Sequence, residues 1–309
     1  MTILVMGSGA VGGCYGGLLA RAGEDVVFVA RGEHLEAINR YGLRVESAAT
    51  GDFVVRPKAV ARPDGTWQAE LVLFCVKSYQ NEEAMNVVAP AVGDRTTILT
   101  LQNGIGGGDQ LASRFGADKV LLGAAYIDAM RIRPGVVADV GNSARIIFGH
   151  TDGRRTESAK RTEVMLNQAG IDAVLSENVM TALWNKLVYI CALSGMSCIT
   201  RAPFHDVLRC PETLGMTERV MREAYHVGKA EGVSLDDDLV ETTLAGFLQE
   251  ENFVSSMYLD LVAGKPLELD VLNGAVSRKG KALGVPTPTN DFIAACLSIA
   301  YATRRADPR

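Results

Sequence analysis

The chain has 309 residues, enough for about two domains at roughly 150 residues each. Hydrophobic residues make up 48% and charged residues 22%, a balance that excludes a disordered or collagen-like chain. Lys+Arg 31 against Asp+Glu 36 gives a net charge of −5, which argues against general nucleic-acid binding.

Thr2–Met6 lacks the basic start of a signal peptide and reads as a strand, with glycines following at once. Ala10–Ala22 reads as a helix, and Asp25–Ala30, Leu71–Val76 and Thr97–Leu101 as further strands. All four strands are nearly continuous apolar runs, the pattern of a parallel sheet buried on both faces. Helices between parallel strands predict a doubly wound α/β domain. From about Ser176 the period changes. Val179, Leu183, Leu187, Ile190 and Leu193 fall at helical spacing, and Glu212–Glu231, Asp236–Ala263 and Glu268–Leu283 continue it. The expected division is a dinucleotide-binding domain over 1–175 and an all-helical substrate domain over 176–309. The tail after Ala302 reads as frayed.

The longest apolar run, Leu187 to Ile199, is interrupted by Ser194, Gly195 and Ser197. It is shorter than the ~18 residues of a membrane helix, so no membrane partner is expected. The six cysteines form no CxxC. With no export signal, reduced thiols in a cytoplasmic protein are the expectation. The four histidines show no zinc spacing, and no metal is expected.

Gly7-Ser8-Gly9-Ala10-Val11-Gly12 is a GxGxxG between the first strand and the first helix. In that context it predicts a Rossmann-type dinucleotide site. Gly7 permits the tight turn, Gly9 lets the backbone approach a pyrophosphate, and Gly12 lets helix and strand pack closely. The helix N-terminus stabilises the phosphate charge. An NAD-selective site usually has a carboxylate after the second strand. This chain has Arg31 there, a cation suited to a 2′-phosphate, or else a solvated surface arginine. The resulting expectation is NADPH over NADH.

Two polar clusters follow later strands, Lys77-Ser78-Tyr79-Gln80 and Gln102-Asn103-Gly104. Ligands of open α/β sheets bind beyond the carboxyl ends of strands. Lys77 either faces phosphate or substrate carboxylate or is an exposed lysine. Asn103 either bonds ribose or substrate or is a turn asparagine before glycine.

The ordered set of motifs resembles the ketopantoate reductase (2-dehydropantoate 2-reductase) family over nearly the whole chain. It comprises the GSGAVG turn, Arg31, Cys75-Val76-Lys77-Ser78-Tyr79-Gln80, Leu101-Gln102-Asn103-Gly104 and Leu183-Trp184-Asn185-Lys186-Leu187. Ser255-Ser256-Met257, Glu268-Leu269-Asp270, Asn273-Gly274 and Val285-Pro286-Thr287-Pro288-Thr289-Asn290 complete it. The resemblance implies NADPH-dependent reduction of a small 2-keto acid to a 2-hydroxy acid in a cleft between the domains. Ketopantoate, a precursor in pantothenate biosynthesis, is the first expected substrate.

Lys186 matches the family's catalytic lysine; Ser256, Glu268 and Asn103 match substrate-site positions, and Glu268 is expected to be catalytic alongside Lys186. Lys77, Gln80 and Asn103 match the cofactor side. On composition alone Lys186 would read as an exposed helix lysine, and Glu268 as a carboxylate serving a helix dipole. The chemistry agrees with the family roles. Hydride attack on a ketone develops alkoxide charge, which a positioned ammonium stabilises and protonates.

The family has asparagines four and eight residues after the lysine. This chain has Ile190 and Ser194, on the same helix face as Lys186. Lost amides change substrate discrimination, so a reductase of a different 2-keto acid is the alternative. A third reading is a non-catalytic NADP-binding sensor, which has no need of Lys186, Ser256 and Glu268. The expected assembly is a monomer or homodimer.

Overall fold

A computed structural model describes residues 1–141, 144–249 and 254–306. By internal contacts the chain forms two units, Met1–Gln102 with Gly107–Val179 and Asn103–Gly106 with Met180–Arg309. The division therefore falls after Val179 rather than after 175, and a four-residue loop beyond the strand at Thr97 groups with the second unit.

The first unit begins β1 (Thr2–Met6), α1 (Ala10–Arg21), β2 (Asp25–Val29), α2 (Gly32–Tyr41), β3 (Leu43–Ser47), β4 (Phe53–Val55), β5 (Lys58–Val60) and β6 (Leu71–Phe74). It continues α3 (Asn81–Val88), β7 (Thr97–Thr100), α4 (Gly107–Phe115), β8 (Val120–Tyr126), β9 (Ala129–Arg133), β10 (Val136–Asp139), β11 (Arg145–Gly149), α5 (Glu157–Gln168) and β12 (Asp172–Leu175). Eight strands form one sheet in the order β12-β11-β8-β7-β6-β1-β2-β5. Its pairs are parallel except β8 with β11. Strand order reverses at β1, with β2 on one side and β6 on the other. That switch point is where such a sheet opens a ligand crevice.

Why β1 is apolar throughout is visible in its packing. Ile3 and Val5 join a core with Tyr15, Leu19 and Phe28. Leu4 and Met6 join another with Ala84, Val88 and Leu111. Alternate side chains thus enter opposite layers, and both layers exclude water.

A second sheet, β4-β3-β10-β9, is absent from the sequence expectation. Its strands are short or interrupted by charged positions: in β3, Leu43 and Val45 are buried while Arg44 is exposed, and β10 is only four residues long. A search for continuous apolar runs passes over them. This sheet covers the side of α1 that faces away from the large sheet. A Cβ at Gly16 would lie 2.7 Å from the Phe28 ring, and one at Gly12 would overlap the Gly7 carbonyl. On the other side, a Cβ at Gly13 would lie 2.8 Å from Val137 and one at Gly17 2.7 Å from Val45. A step of four keeps a helix face. The doubled glycines 12-13 and 16-17 therefore let α1 sit close to two sheets at once.

The second unit holds α6 (Val179–Thr200), α7 (Phe204–Arg209), α8 (Pro211–Ala230), α9 (Leu239–Gln249), α10 (Ser256–Val262), α11 (Asn273–Leu283) and α12 (Pro288–Ala306). Among its described residues there is no strand. At 22 residues α6 is long and apolar enough, by length and composition, to cross a membrane. It exceeds the run expected from sequence because the helix starts eight residues before Leu187, at Val179, and carries Asn185 and Lys186 within it. Yet 78% of its most apolar stretch is buried, and Trp184, Leu187, Val188 and Cys191 form the centre of the helical core. A helix apolar on all sides is here a core helix.

The single stretch expected over Asp236–Ala263 is two helices, and residues 250–253 lie outside the described residues. The expected helix at Glu268 is a 3-10 turn, Leu269–Val271, before α11. Asp307, Pro308 and Arg309 of the expected frayed tail also lie outside the described residues, whereas α12 carries helix to Ala306.

Candidate active site

In the first unit, β1 runs into the glycine turn. Gly7 has φ +94, a left-handed conformation open to glycine. A Cβ there would also lie 2.9 Å from the Cys75 carbonyl carbon and the Val76 nitrogen at the end of β6. Conformation and close approach both require glycine. Ser8 is buried, and Ala10 and Val11, half-buried, begin α1. Gly9 is the N-cap of α1, with no side-chain cap and no acidic residue in the first turn. The first N–H groups of a helix lack acceptors of their own and carry its positive dipole end. A Cβ at Gly9 would meet nothing within 4 Å. Uncapped donors beside open space fit a dinucleotide pyrophosphate.

Arg31 follows β2 as the N-cap of α2 and is exposed, with Nη1 2.9 Å from Glu83 Oε1 of α3. Both side chains are more than half exposed, so this pair contributes at most about 1 kcal/mol. The guanidinium can exchange it for a phosphate at small cost. Lys77 and Gln80 bracket a 3-10 turn after β6, both half-buried. The Gln80 N–H donates to the Lys77 carbonyl at 2.9 Å. Gln102, to which the sequence reading assigned no role, ties the strand exits together. Its Nε2 donates to the Val76 carbonyl at 2.7 Å and to Asn81 Oδ1 at 2.6 Å.

In the second unit, half-buried Lys186 of α6 donates from Nζ to Asn103 Oδ1 at 2.8 Å. The two residues are 83 positions apart. Asn103 is held by its own loop: the Ile105 N–H donates to the Val271 carbonyl at 3.1 Å, and Gly104 takes φ +82. The same short segment carries Glu268, only 5% exposed, as N-cap of the 3-10 turn. Its carbonyl accepts from the Val271 N–H at 3.3 Å. Lys186, Asn103 and the Glu268 segment are therefore linked by successive hydrogen bonds.

Ser256, the first residue of α10, is exposed. The buried hydroxyl at this corner is that of Ser255, which caps α10 by accepting from the Tyr258 N–H at 3.2 Å. Ser255 also donates to Ser194 Oγ at 3.0 Å. Ile190 packs in the helical core. The helix face after Lys186 thus offers a hydrocarbon branch and a hydroxyl already bonded to the protein. Ser255 was legible only as a neighbour of Ser256, and burial distinguishes the two.

The family model described as ketopantoate reductase PanE/ApbA matches residues 3–153, and that of its C-terminal domain matches residues 178–300. A 2-dehydropantoate 2-reductase of Halobacterium salinarum is 30% identical over 290 residues, covering 93% of this chain and 95% of the relative. The crystal structure of a PanE/ApbA family ketopantoate reductase from Ralstonia eutropha JMP134 is similar with a TM-score of 0.90 and 34% identity, covering 99% of this chain and 100% of the other. That of a 2-dehydropantoate 2-reductase from Geobacter metallireducens GS-15 has a TM-score of 0.91 and 31% identity, with coverage of 96% and 99%.

Proposed function

The chain belongs to the ketopantoate reductase family, and from that premise we propose that it is an NADPH-dependent oxidoreductase reducing 2-dehydropantoate to pantoate. The observation that carries the reading is the Lys186–Asn103 pair, an ammonium held by an amide oxygen at 2.8 Å.

NADPH, when bound, supplies the hydride. The glycine turn Gly7–Gly12 and the α1 N-terminus hold its pyrophosphate, Arg31 holds the 2′-phosphate, and Lys77 and Gln80, after β6, serve the cofactor side. As the substrate carbonyl carbon gains a hydride, its oxygen becomes an alkoxide. Lys186 Nζ–H stabilises that charge and gives the oxygen its proton, and the resulting amine regains one from water. Asn103 accepts one N–H of the ammonium and so sets where the Nζ stands. Glu268, as a buried carboxylate, accepts from the substrate hydroxyl. Ser256 adds a hydroxyl at the substrate side. The same reading places the enzyme in the cytoplasm, in pantothenate biosynthesis, as a monomer or homodimer without membrane or nucleic-acid partners.

Ile190 and Ser194 favour a second reading, a 2-keto acid other than ketopantoate with a more apolar side chain. Following loss of the reduced-nicotinamide absorbance across a panel of 2-keto acids tests both. Turnover on ketopantoate supports the first reading, and turnover only on another acid supports the second. Tight NADPH binding without any turnover would leave a sensor. In the same assay NADPH is expected to exceed NADH in kcat/KM. Arg31→Ala is expected to narrow that gap by about tenfold or more, the worth of charged hydrogen bonds to phosphate. Equal efficiency with both cofactors in the unmutated enzyme would refute the role of Arg31.

A further inference from the structure

His34 lies on α2 and is 6% exposed, and the sequence analysis gave it no role. Its two ring nitrogens are both engaged. Nε2 stands 2.7 Å from the Ser8 carbonyl oxygen, and Nδ1 accepts from the Gly135 N–H at 3.0 Å. An N–H can only donate, so Nδ1 carries no proton and Nε2 donates to Ser8. The ring is neutral, with its tautomer set by its partners. Burial, with a smaller contribution from Arg131, pushes its pKa down, in keeping with that state.

The partners make this more than a satisfied core histidine. Ser8 is the second residue of the glycine turn. Gly135 is the turn between β9 and β10, and its own carbonyl accepts from the Arg44 N–H of β3 at 2.9 Å. The imidazole therefore anchors the phosphate-binding turn to the four-stranded sheet. A trans peptide sets its N–H opposite its C=O, and there are no cis peptides among the described residues. An imidazole that holds the Ser8 oxygen consequently sets the direction of the Gly9 N–H, on the far side of that peptide. Gly9 is the uncapped N-cap of α1 with open space at its Cα.

We propose that His34 is a positioning residue for the dinucleotide, aiming the Gly9 N–H by holding the Ser8 carbonyl and bracing the turn against the second sheet through Gly135. The inference rests on the cofactor reading above.

Two conservative variants separate the bonds. The amide nitrogen of His34→Gln reaches the Nε2 position and keeps the Ser8 bond. The shorter amide of His34→Asn reaches only the Nδ1 position and keeps the Gly135 bond. NADPH Kd is measured by fluorescence titration, beside Tm without cofactor. His34→Asn is expected to weaken NADPH about tenfold, the loss of one buried hydrogen bond. His34→Gln is expected to remain within about threefold of the unmutated protein. Their Tm values should fall alike, and in steady state the loss should appear in KM for NADPH more than in kcat. Equal weakening in both variants, or normal NADPH binding by His34→Asn, overturns the proposal and leaves the cofactor reading standing. Failure of the unmutated protein to bind NADPH would sink both. Nitrogen-15 spectra of the unmutated protein give a check that needs no variant: Nε2 should be protonated and Nδ1 bare, and the opposite tautomer or a cationic ring overturns the assignment.

Discussion

Lys186→Ala is expected to lower turnover by about 10²–10⁴-fold, the range for loss of a positioned general acid. That corresponds to about 3–5 kcal/mol of transition-state stabilisation. The reasoning is electrostatic. The oxygen of the reacting carbonyl bears little charge before hydride arrives and nearly a full charge after it, so an ammonium acts mainly on the transition state. Its removal should reduce kcat and kcat/KM together rather than raise KM alone. NADPH affinity is expected to stay close to that of the unmutated enzyme, because the glycine turn and Arg31 belong to the other unit. Lys186→Arg should not restore turnover, since a guanidinium keeps its proton in proteins. Single-turnover rates beside NADPH titrations check this, and near-normal turnover in Lys186→Ala would remove the assignment.

Gly104→Ala should be nearly as damaging, although residue 104 carries no functional group. Gly104 has φ +82, which costs an alanine roughly 1–2 kcal/mol. An added Cβ would also overlap the Val271 carbonyl. Backbone has no rotamer with which to yield, so the loop or the segment after Glu268 must shift. Either movement disturbs the placement of Asn103, and with it the ammonium that Asn103 Oδ1 holds. A displacement of about 1 Å is sufficient to cost on the order of 10²-fold in rate. The expected result is a fall of that order in kcat/KM with NADPH binding retained. Turnover at the unmutated rate would show that the loop does not position Lys186. Asn103→Ala offers the comparison, since it removes the amide and leaves the loop backbone in place.

The parts of the fold visible in the sequence are those in which one short segment reports its own surroundings. The apolar runs at Thr2–Met6, Leu71–Phe74 and Thr97–Thr100 are strands buried on both faces, and no polar position interrupts them. The small sheet escaped because β4 and β10 are only three and four residues long and β3 and β9 carry Arg44, Glu46, Arg131 and Arg133. Helices α9 and α10 merged into one expected stretch because periodicity records a buried face and not where one helix ends and the next begins. The Ser255 cap, which starts α10, looks in sequence like any serine before another.

For the site, the division has the same origin. The glycine turn and Arg31 were readable because a left-handed φ at Gly7, an open N-cap at Gly9 and a cation between β2 and α2 are demands met within a few bonds of the backbone. The sequence alone thus determined a glycine turn leading into an open helix start and the family to which its motifs point. Only the tertiary structure decided that Lys186 meets Asn103 across 83 positions, that Ser194 is taken up by Ser255, and that α1 lies between two sheets. Those contacts arise when separate helices and strands bury their surfaces together, and a one-dimensional pattern carries no record of which surfaces meet.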